Sequence, residues 1–235
     1  MIRLNILVEG QTEENFVRDV LAPYLANFGV IVNQQRFETG KTRPFNPTGN
    51  RQTVVHKGGI TGYEQVCKHL TRWRKSDPNA VLTTMIDLYG LPTDFPKSTS
   101  SDALEKVKFL EQALENDLGL HDFIPYFQLH EFEALLFSNV QILDNWVSIS
   151  LTPDSARLKT LLEICNAFET PEHINDSPLT APSKRLFAIY DQAYQKTLHG
   201  SIVAAEIGIS VIRRECRHFD AWLTKLENLN SQGAS

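Results

Sequence analysis

Two apolar runs that each stop at a carboxylate constrain this chain more than any other feature. Ile2-Arg3-Leu4-Asn5-Ile6-Leu7-Val8 ends at Glu9 and Gly10, and Ala80-Val81-Leu82-Thr83-Thr84-Met85-Ile86 ends at Asp87. Short runs this rich in aliphatic residues suit strands buried on both faces. After Glu9, the apolar residues Phe16, Val17, Val20, Leu21, Tyr24 and Leu25 recur at spacings of three and four, with Gly29 as a stop. That period predicts a helix over 12–28, with Thr12 as its N-cap and Glu13 and Glu14 complementing the positive helix end. Strands joined by helical crossovers form mainly parallel sheets, whose ligands bind beyond the carboxyl ends of the strands. Glu9 and Asp87 are therefore expected at one sheet edge.

The same alternation continues to residue 137. Val30-Ile31-Val32 opens a second strand toward Phe37, Tyr63–Lys75 reads as a helix, and a further helix runs from Asp102 or Ser101 to about Leu118. Phe123–Leu129 reads as a fourth strand, at an edge because Pro125 cannot donate to a ladder. His130–Phe137 has a helical composition. Beyond about residue 150 the strand signals fade, and 156–168, 184–194 and 202–226 look helical. The expected organisation is an α/β domain over 1–145 with a helical C-terminal region, 146–235, packed on it. Residues 38–62 read as a loop or hairpin around Thr53-Val54-Val55-His56. Arg36, Lys41, Arg43, Arg51 and Lys57 make the stretch from 36 to 57 basic, either a solvated loop or a phosphate-contacting arm.

The overall balance is otherwise that of a soluble globular chain, with 42% hydrophobic and 22% charged residues and a net charge of −5. The acidic total argues against wholesale coating of nucleic acid and leaves room for a local basic patch. Cys67, Cys165 and Cys216 are odd in number and widely spaced, which suggests reduced thiols in a cytoplasmic protein. Neither a signal peptide nor a membrane-spanning run is read from the sequence. Lys57-Gly58-Gly59-Ile60-Thr61-Gly62 lacks the residue order of a P-loop, and no Gly-x-Ser-x-Gly elbow is present.

The candidate chemistry lies in the acids. Glu9, Asp87 and the pair Glu131 and Glu133 follow strands or open helices, and hard divalent cations take oxygen ligands of this type. The alternative, that these acids only complement helix N-termini, accounts for Glu13, Glu14 and Glu131 better than for Glu9 and Asp87. If 130–133 is helical, His130 and Glu133 share a face, so that Glu133 joins a metal site while His130 orients a phosphate or moves a proton.

Val8-Glu9-Gly10-Gln11-Thr12-Glu13, Ile86-Asp87-Leu88-Tyr89-Gly90 and His130-Glu131-Phe132-Glu133-Ala134-Leu135-Leu136 together resemble a bacterial domain-of-unknown-function family, DUF4276, whose members are regarded as Toprim-like. The resemblance extends to Pro182-Ser183-Lys184-Arg185 and His218-Phe219-Asp220-Ala221-Trp222-Leu223. It implies a Toprim-like Rossmannoid sheet similar to the Toprim part of overcoming-lysogeny-defect nucleases, with magnesium or manganese serving phosphodiester chemistry. Glu9 then matches the glutamate after the first strand and Asp87 the first acid of an Asp-x-Asp pair. The second falls on Tyr89, and a phenol, protonated near pH 7, is a poor magnesium ligand. Glu131 or Glu133 is the substitute on this reading, with Thr12, Tyr89, Lys184 and Arg185 on the substrate. The resemblance also implies an AAA- or ABC-type ATPase partner in a bacterial defence-type system, and a homo-oligomer is compatible with it. A non-catalytic module that binds or regulates the ATPase is the alternative, and a phosphohydrolase acting on a small nucleotide a third.

Overall fold

The computed structural model describes residues 1–37, 59–175, 177 and 179–232. Strand β1 (Ile2–Val8) has β2 (Val30–Arg36) on one side and β3 (Val81–Asp87) on the other, both parallel to it. β4 (Phe123–Ile124) and β5 (Phe127–Gln128) pair with β3, also in parallel. In this register Val8 lies opposite Met85, so β1 and β3 end together. The α/β class and the parallel sheet expected from the alternation are what the chain adopts.

The strand expected over 123–129 is instead two short pieces. Pro125 brings no N–H to the ladder, and threonine side chains take its place. Thr84 Oγ1 donates to the Tyr126 carbonyl at 2.9 Å and accepts its N–H at 2.8 Å, while the Thr83 hydroxyl donates to the Ile124 carbonyl. The first helix also differs in detail. It begins as α1 (Gln11–Phe16), widens to a π-helical turn at Val17–Leu21 and resumes as α2 (Ala22–Ala26). Pro23 interrupts the i→i−4 ladder there, the kind of break that π turns accompany. Gly10, in extended conformation, stands at the N-cap in place of Thr12, and Gly29 ends the run at φ 73°.

Helices cover both faces of the sheet, which is why its strands read as nearly continuous apolar runs. On one face Leu7, Leu82 and Ile86 meet Val66 and Leu70 of α3 (Tyr63–Ser76) and Val107 and Leu110 of α4 (Ala103–Leu118). A 3₁₀ segment, Phe132–Asn139, then leads into α5 (Val140–Val147) and α6 (Ser155–Asn166). The opposite face joins Leu4, Ile6 and Val8 to Phe132, Leu143 and Leu161 and to the helices that follow. These are α7 (Pro182–Tyr190), α8 (Lys196–Ile207), α9 (Ile209–Glu215), α10 (Arg217–Glu227) and α11 (Leu229–Gln232). The helix expected over 202–226 is thus three, broken at Gly208, whose φ is 81°, and at Cys216. It also starts six residues sooner than expected, at Lys196.

Other conspicuous charges are structural. The Arg74 guanidinium donates to four backbone carbonyls, those of Pro78, Ala80, His121 and Asp122. Arg213 joins α9 to α10 through Asp220 at 2.6 Å and Glu227 at 2.7 Å. The buried Glu172 carboxylate accepts the N–H groups of His218 and Phe219, capping α10 where the helix leaves donors unpaired. Among the described residues no helix is long and apolar enough to cross a membrane. Lys41, Arg43, Arg51 and Lys57 of the basic stretch lie outside the described residues. Arg36, at the end of β2, donates to Gln11 Oε1 and lies 3.7 Å from Glu14.

Candidate functional site

The residue that ends β1 holds the residue that ends β3. Glu9 Oε2 accepts the backbone N–H of Asp87 at 3.1 Å, and Asp87 Oδ1 accepts the N–H of Phe132 at 3.0 Å. Glu13 folds back to take the Gly10 N–H at 2.9 Å. A Cβ on residue 10 would lie 2.9 Å from that same Glu13 oxygen, so the glycine leaves room for the carboxylate. Asp87, Glu13, Glu131 and Glu133 are 7%, 3%, 5% and 0% exposed, so this is a buried set of acids at the carboxyl edge of the sheet.

Glu131 and Glu133 reach different partners. His130 sits at φ 62° and Glu131 is extended, so helix begins only at Phe132. The helical reading of 130–133, and with it a face shared by His130 and Glu133, is corrected by this backbone. Both Glu131 oxygens are taken by Ser183 at the start of α7, by its N–H at 2.8 Å and its hydroxyl at 2.9 Å. Glu133 Oε1 accepts the Tyr194 hydroxyl at 3.2 Å. Its Oε2 lies 3.0 Å from Lys196 Nζ, within ion-pair range although outside the angular range of a hydrogen bond.

Lys196 is the cation these acids share. Burial works against its charge, but Glu133, Asp87, Glu13 and Glu131 outweigh it and hold the ammonium protonated. The acids are shifted the other way. Burial, reinforced by Glu13, pushes Glu9 up to about 7, and burial pushes Glu133 to about 7 despite the opposing Lys196. Asp87 is raised well above the usual carboxylate range by burial and by Glu13 and Glu9, and Glu13 is raised chiefly by burial. Like charges crowded in a low dielectric favour the protonated forms.

Lys196 reaches the acids because two helices touch closely. A Cβ on Gly200, one turn along α8, would come within 2.4 Å of the Thr12 methyl carbon of α1. Thr12 is accordingly 3% exposed and spends its side chain on this helix contact. Tyr89 is half-buried, and its backbone N–H donates to the His130 carbonyl at 2.8 Å. His130 Nδ1 is 3.2 Å from Asn175 Nδ2, and burial, with His173 and Lys106 nearby, lowers the imidazole to about 4. Lys184 is exposed, whereas Arg185 donates to the Thr180 carbonyl at 2.7 Å and lies over the Phe168 ring.

Of the residues singled out in the sequence, the cluster brings together Glu9, Asp87, Glu131 and Glu133. It adds Glu13, Ser183, Tyr194 and Lys196, which the sequence reading left aside. Two signals for them are legible in retrospect. Glu13 lies four residues after Glu9 across a glycine turn, and Gly200 marks a close helix approach one turn beyond Lys196.

Oxygen-only donors of this kind fit a hard divalent cation such as magnesium. Several are individually anchored by N–H groups, and among the described residues no three Asp, Glu, His or Cys side chains are drawn into a ready metal cage. The fit is one of donor type, with the carboxylates gathered but not closed on a point.

Comparison with solved structures returns the C-terminal region of the Burkholderia pseudomallei OLD protein, at 12% identity and a TM-score of 0.47, covering 97% of this chain and 98% of that one. The C-terminal region of the Xanthomonas campestris pv. campestris OLD protein matches at 15% identity, in one structure with a TM-score of 0.40 over 96% and 98% of the two chains. In another it matches with a TM-score of 0.43 over 95% of each. No curated protein matches the chain. The family model described as Domain of unknown function (DUF4276) matches residues 8–227, and the chain belongs to that family.

Proposed function

We propose that the carboxylate cluster is the divalent-cation site of a nuclease-like enzyme acting on nucleic-acid phosphodiesters, with magnesium or manganese as the ion. The observation that carries this reading is the crowding of carboxyl groups, four of them buried and Glu9 half-buried, beside the Lys196 ammonium. Glu9, Glu13, Asp87, Glu131 and Glu133 converge at the carboxyl edge of the sheet around the ammonium of Lys196. Isolated buried charges are costly, and a bound cation would offset the repulsion among these acids.

Glu9, Glu13, Asp87 and Glu133 are the residues that would hold the ion. When bound, such an ion polarises a phosphoryl oxygen and makes water a better nucleophile. Burial favours the protonated forms of Glu9 and Glu133, and a bound cation would favour the ionised carboxylates that hold it. Lys196 brings a fixed positive charge to meet a phosphate oxygen. Glu131, bonded twice to Ser183, ties α7 to the cluster and acts as a positioning residue. His130, lowered to about 4, is neutral at physiological pH and serves as a hydrogen-bonding group.

We extend the proposal to an AAA- or ABC-type ATPase partner in a defence-type system, which the family resemblance implies. A second reading, a non-catalytic module that regulates such an ATPase, is favoured by Tyr89 in place of an acid and by the ammonium already among the carboxylates. Cleavage of plasmid and single-stranded DNA with magnesium or manganese, by the wild type and by Glu9→Ala and Asp87→Ala, separates the two. The expected result is metal-dependent cleavage that falls at least about 100-fold in both variants. No cleavage by the wild type with either metal, with the ATPase added, would leave the regulatory module as the better account.

A further inference from the structure

Glu133 is the most deeply buried acid of the cluster, at 0% exposure, and its two oxygens are treated differently. Oε1 takes the Tyr194 hydroxyl. Oε2 has no hydrogen-bond donor among the described residues and meets the Lys196 ammonium off-angle at 3.0 Å. A buried carboxylate oxygen without a donor is costly, and an off-angle ammonium answers its charge but not its lone pairs. Lys196, for its part, is not where a helix favours a cation. It is the first residue of the 12-residue helix α8, at the positive end, where the macrodipole opposes an ammonium. The acids hold it there instead: the charges of Glu133, Asp87, Glu13 and Glu131 act on it, and its own charge acts on Glu9. Its side chain is 35% exposed, so water already reaches it and the ammonium can turn outward by rotation about side-chain bonds.

We infer that Lys196 is a resident counter-ion, which neutralises the carboxylate cluster when no divalent cation is bound and turns outward when one binds. The inference rests on the proposed cation site and adds the regulation of its loading. An ammonium and a divalent ion drawn to the same buried oxygen repel each other, the more strongly where water is scarce. The ion carries twice the charge and takes carboxylate lone pairs directly, which suits the oxygen that the ammonium meets off-angle. Lys196 gives up little by leaving, since its outer path is solvated and the helix end opposes its inner position. The exchange keeps the acids from standing together uncompensated, and it sets a threshold that an ion must exceed to load. The ammonium, once turned outward, is free to meet a phosphate oxygen, which links loading to substrate contact.

The test is manganese binding by the full chain at pH 8, read as loss of the free-ion electron paramagnetic resonance signal, in the wild type and in Lys196→Met. With the competing charge gone, Lys196→Met is expected to bind manganese about ten-fold more tightly, a typical coupling between two ligands of one protein. A second measurement needs no variant: acetylation of the wild-type lysines by an N-hydroxysuccinimide ester, read by mass spectrometry with and without magnesium. Relative to the exposed Lys184, Lys196 is expected to react slowly without the ion and faster with it. Manganese bound by the wild type but no more tightly by folded Lys196→Met would overturn the inference and leave the cation site standing. So would acetylation of Lys196 that saturating magnesium does not change. A wild type that binds no manganese would overturn the cation site and the inference together, so the two failures are told apart.

Discussion

The two ends of the parallel sheet treat charge in opposite ways. At the amino end Arg3 of β1 meets Asp77 at 2.6 Å in the open, Asn5 adds a bond to the same carboxylate, and Arg74 closes the edge on backbone carbonyls. Each charge there has its own partner and water nearby, the arrangement of a surface built for the fold. At the carboxyl end the carboxylates of Glu13, Asp87, Glu131 and Glu133 are buried with Lys196 as their shared ammonium. The strands and helices that build the two ends are the same, so the difference is not imposed by the fold. Stability accounts for the first end, and the second carries a cost that the proposed cation site accounts for.

The largest expected effect comes from removing Lys196, the cation that the crowded acids share. Lys196→Met leaves Glu133 buried without a counter-charge and is expected to cost about 3 kcal/mol, the low end for a broken buried pair because the lysine side chain is 35% exposed. Urea unfolding at pH 8 measures it. Arg3→Met at the open end is expected to leave the unfolding midpoint nearly unchanged; equal losses at the two ends would erase the contrast.

A smaller effect is expected where α8 presses on α1. Gly200→Ala forces its new methyl toward the Thr12 methyl, an overpacking of about 1–3 kcal/mol. Thr12→Ser removes the opposing methyl, so the double variant is expected to recover most of the loss, and a double-mutant cycle of unfolding free energies reads the coupling. Strict additivity would mean that the contact does not set the position of Lys196.

The third difference between the ends is in pH. Glu9 and Glu133 are raised by burial to about 7, and Glu13 and Asp87 are shifted in the same direction. A carboxyl that holds its proton more tightly when folded favours the folded state below its unfolded pKa, and loses that advantage as pH rises through its folded pKa. The metal-free protein is therefore expected to lose thermal stability between about pH 5 and pH 8. Magnesium is expected to restore more of it at the upper end of that window, where the acids are ionised. Asp77, lowered by its hydrogen bond with Arg3, pulls the other way at far lower pH. A melting temperature that rises from pH 5 to pH 8 in EDTA would contradict the buried cluster.

Much of this contrast was legible in the sequence, for reasons that differ from residue to residue. The ends of β1 and β3 could be placed because apolar runs stop sharply at Glu9 and Asp87, and parallel pairing then brings the two acids to one edge. The backbone at 130–131 was not legible, since helix-forming residues there meet a left-handed His130 and a Glu131 drawn out to Ser183. Lys196 was missed because Gly200 and Ser201 weaken the helix signal around it, and the packing against Thr12 that selects the glycine exists only in three dimensions. Glu13 looked like one more acid at a helix start, a role that its sequence position alone also satisfies. The split of β4 from β5 needed the threonine hydroxyls of β3, which a local reading of Pro125 does not supply.

We propose the crowded end of the sheet as a divalent-cation site. Electron paramagnetic resonance of manganese titrated into the protein at pH 8 tests it most directly, comparing the wild type with Glu9→Gln and Asp87→Asn. The expected result is saturable loss of the free-manganese signal in the wild type and its return in both folded variants. A free-manganese signal that the wild type does not diminish, or that both variants diminish equally, would contradict the account.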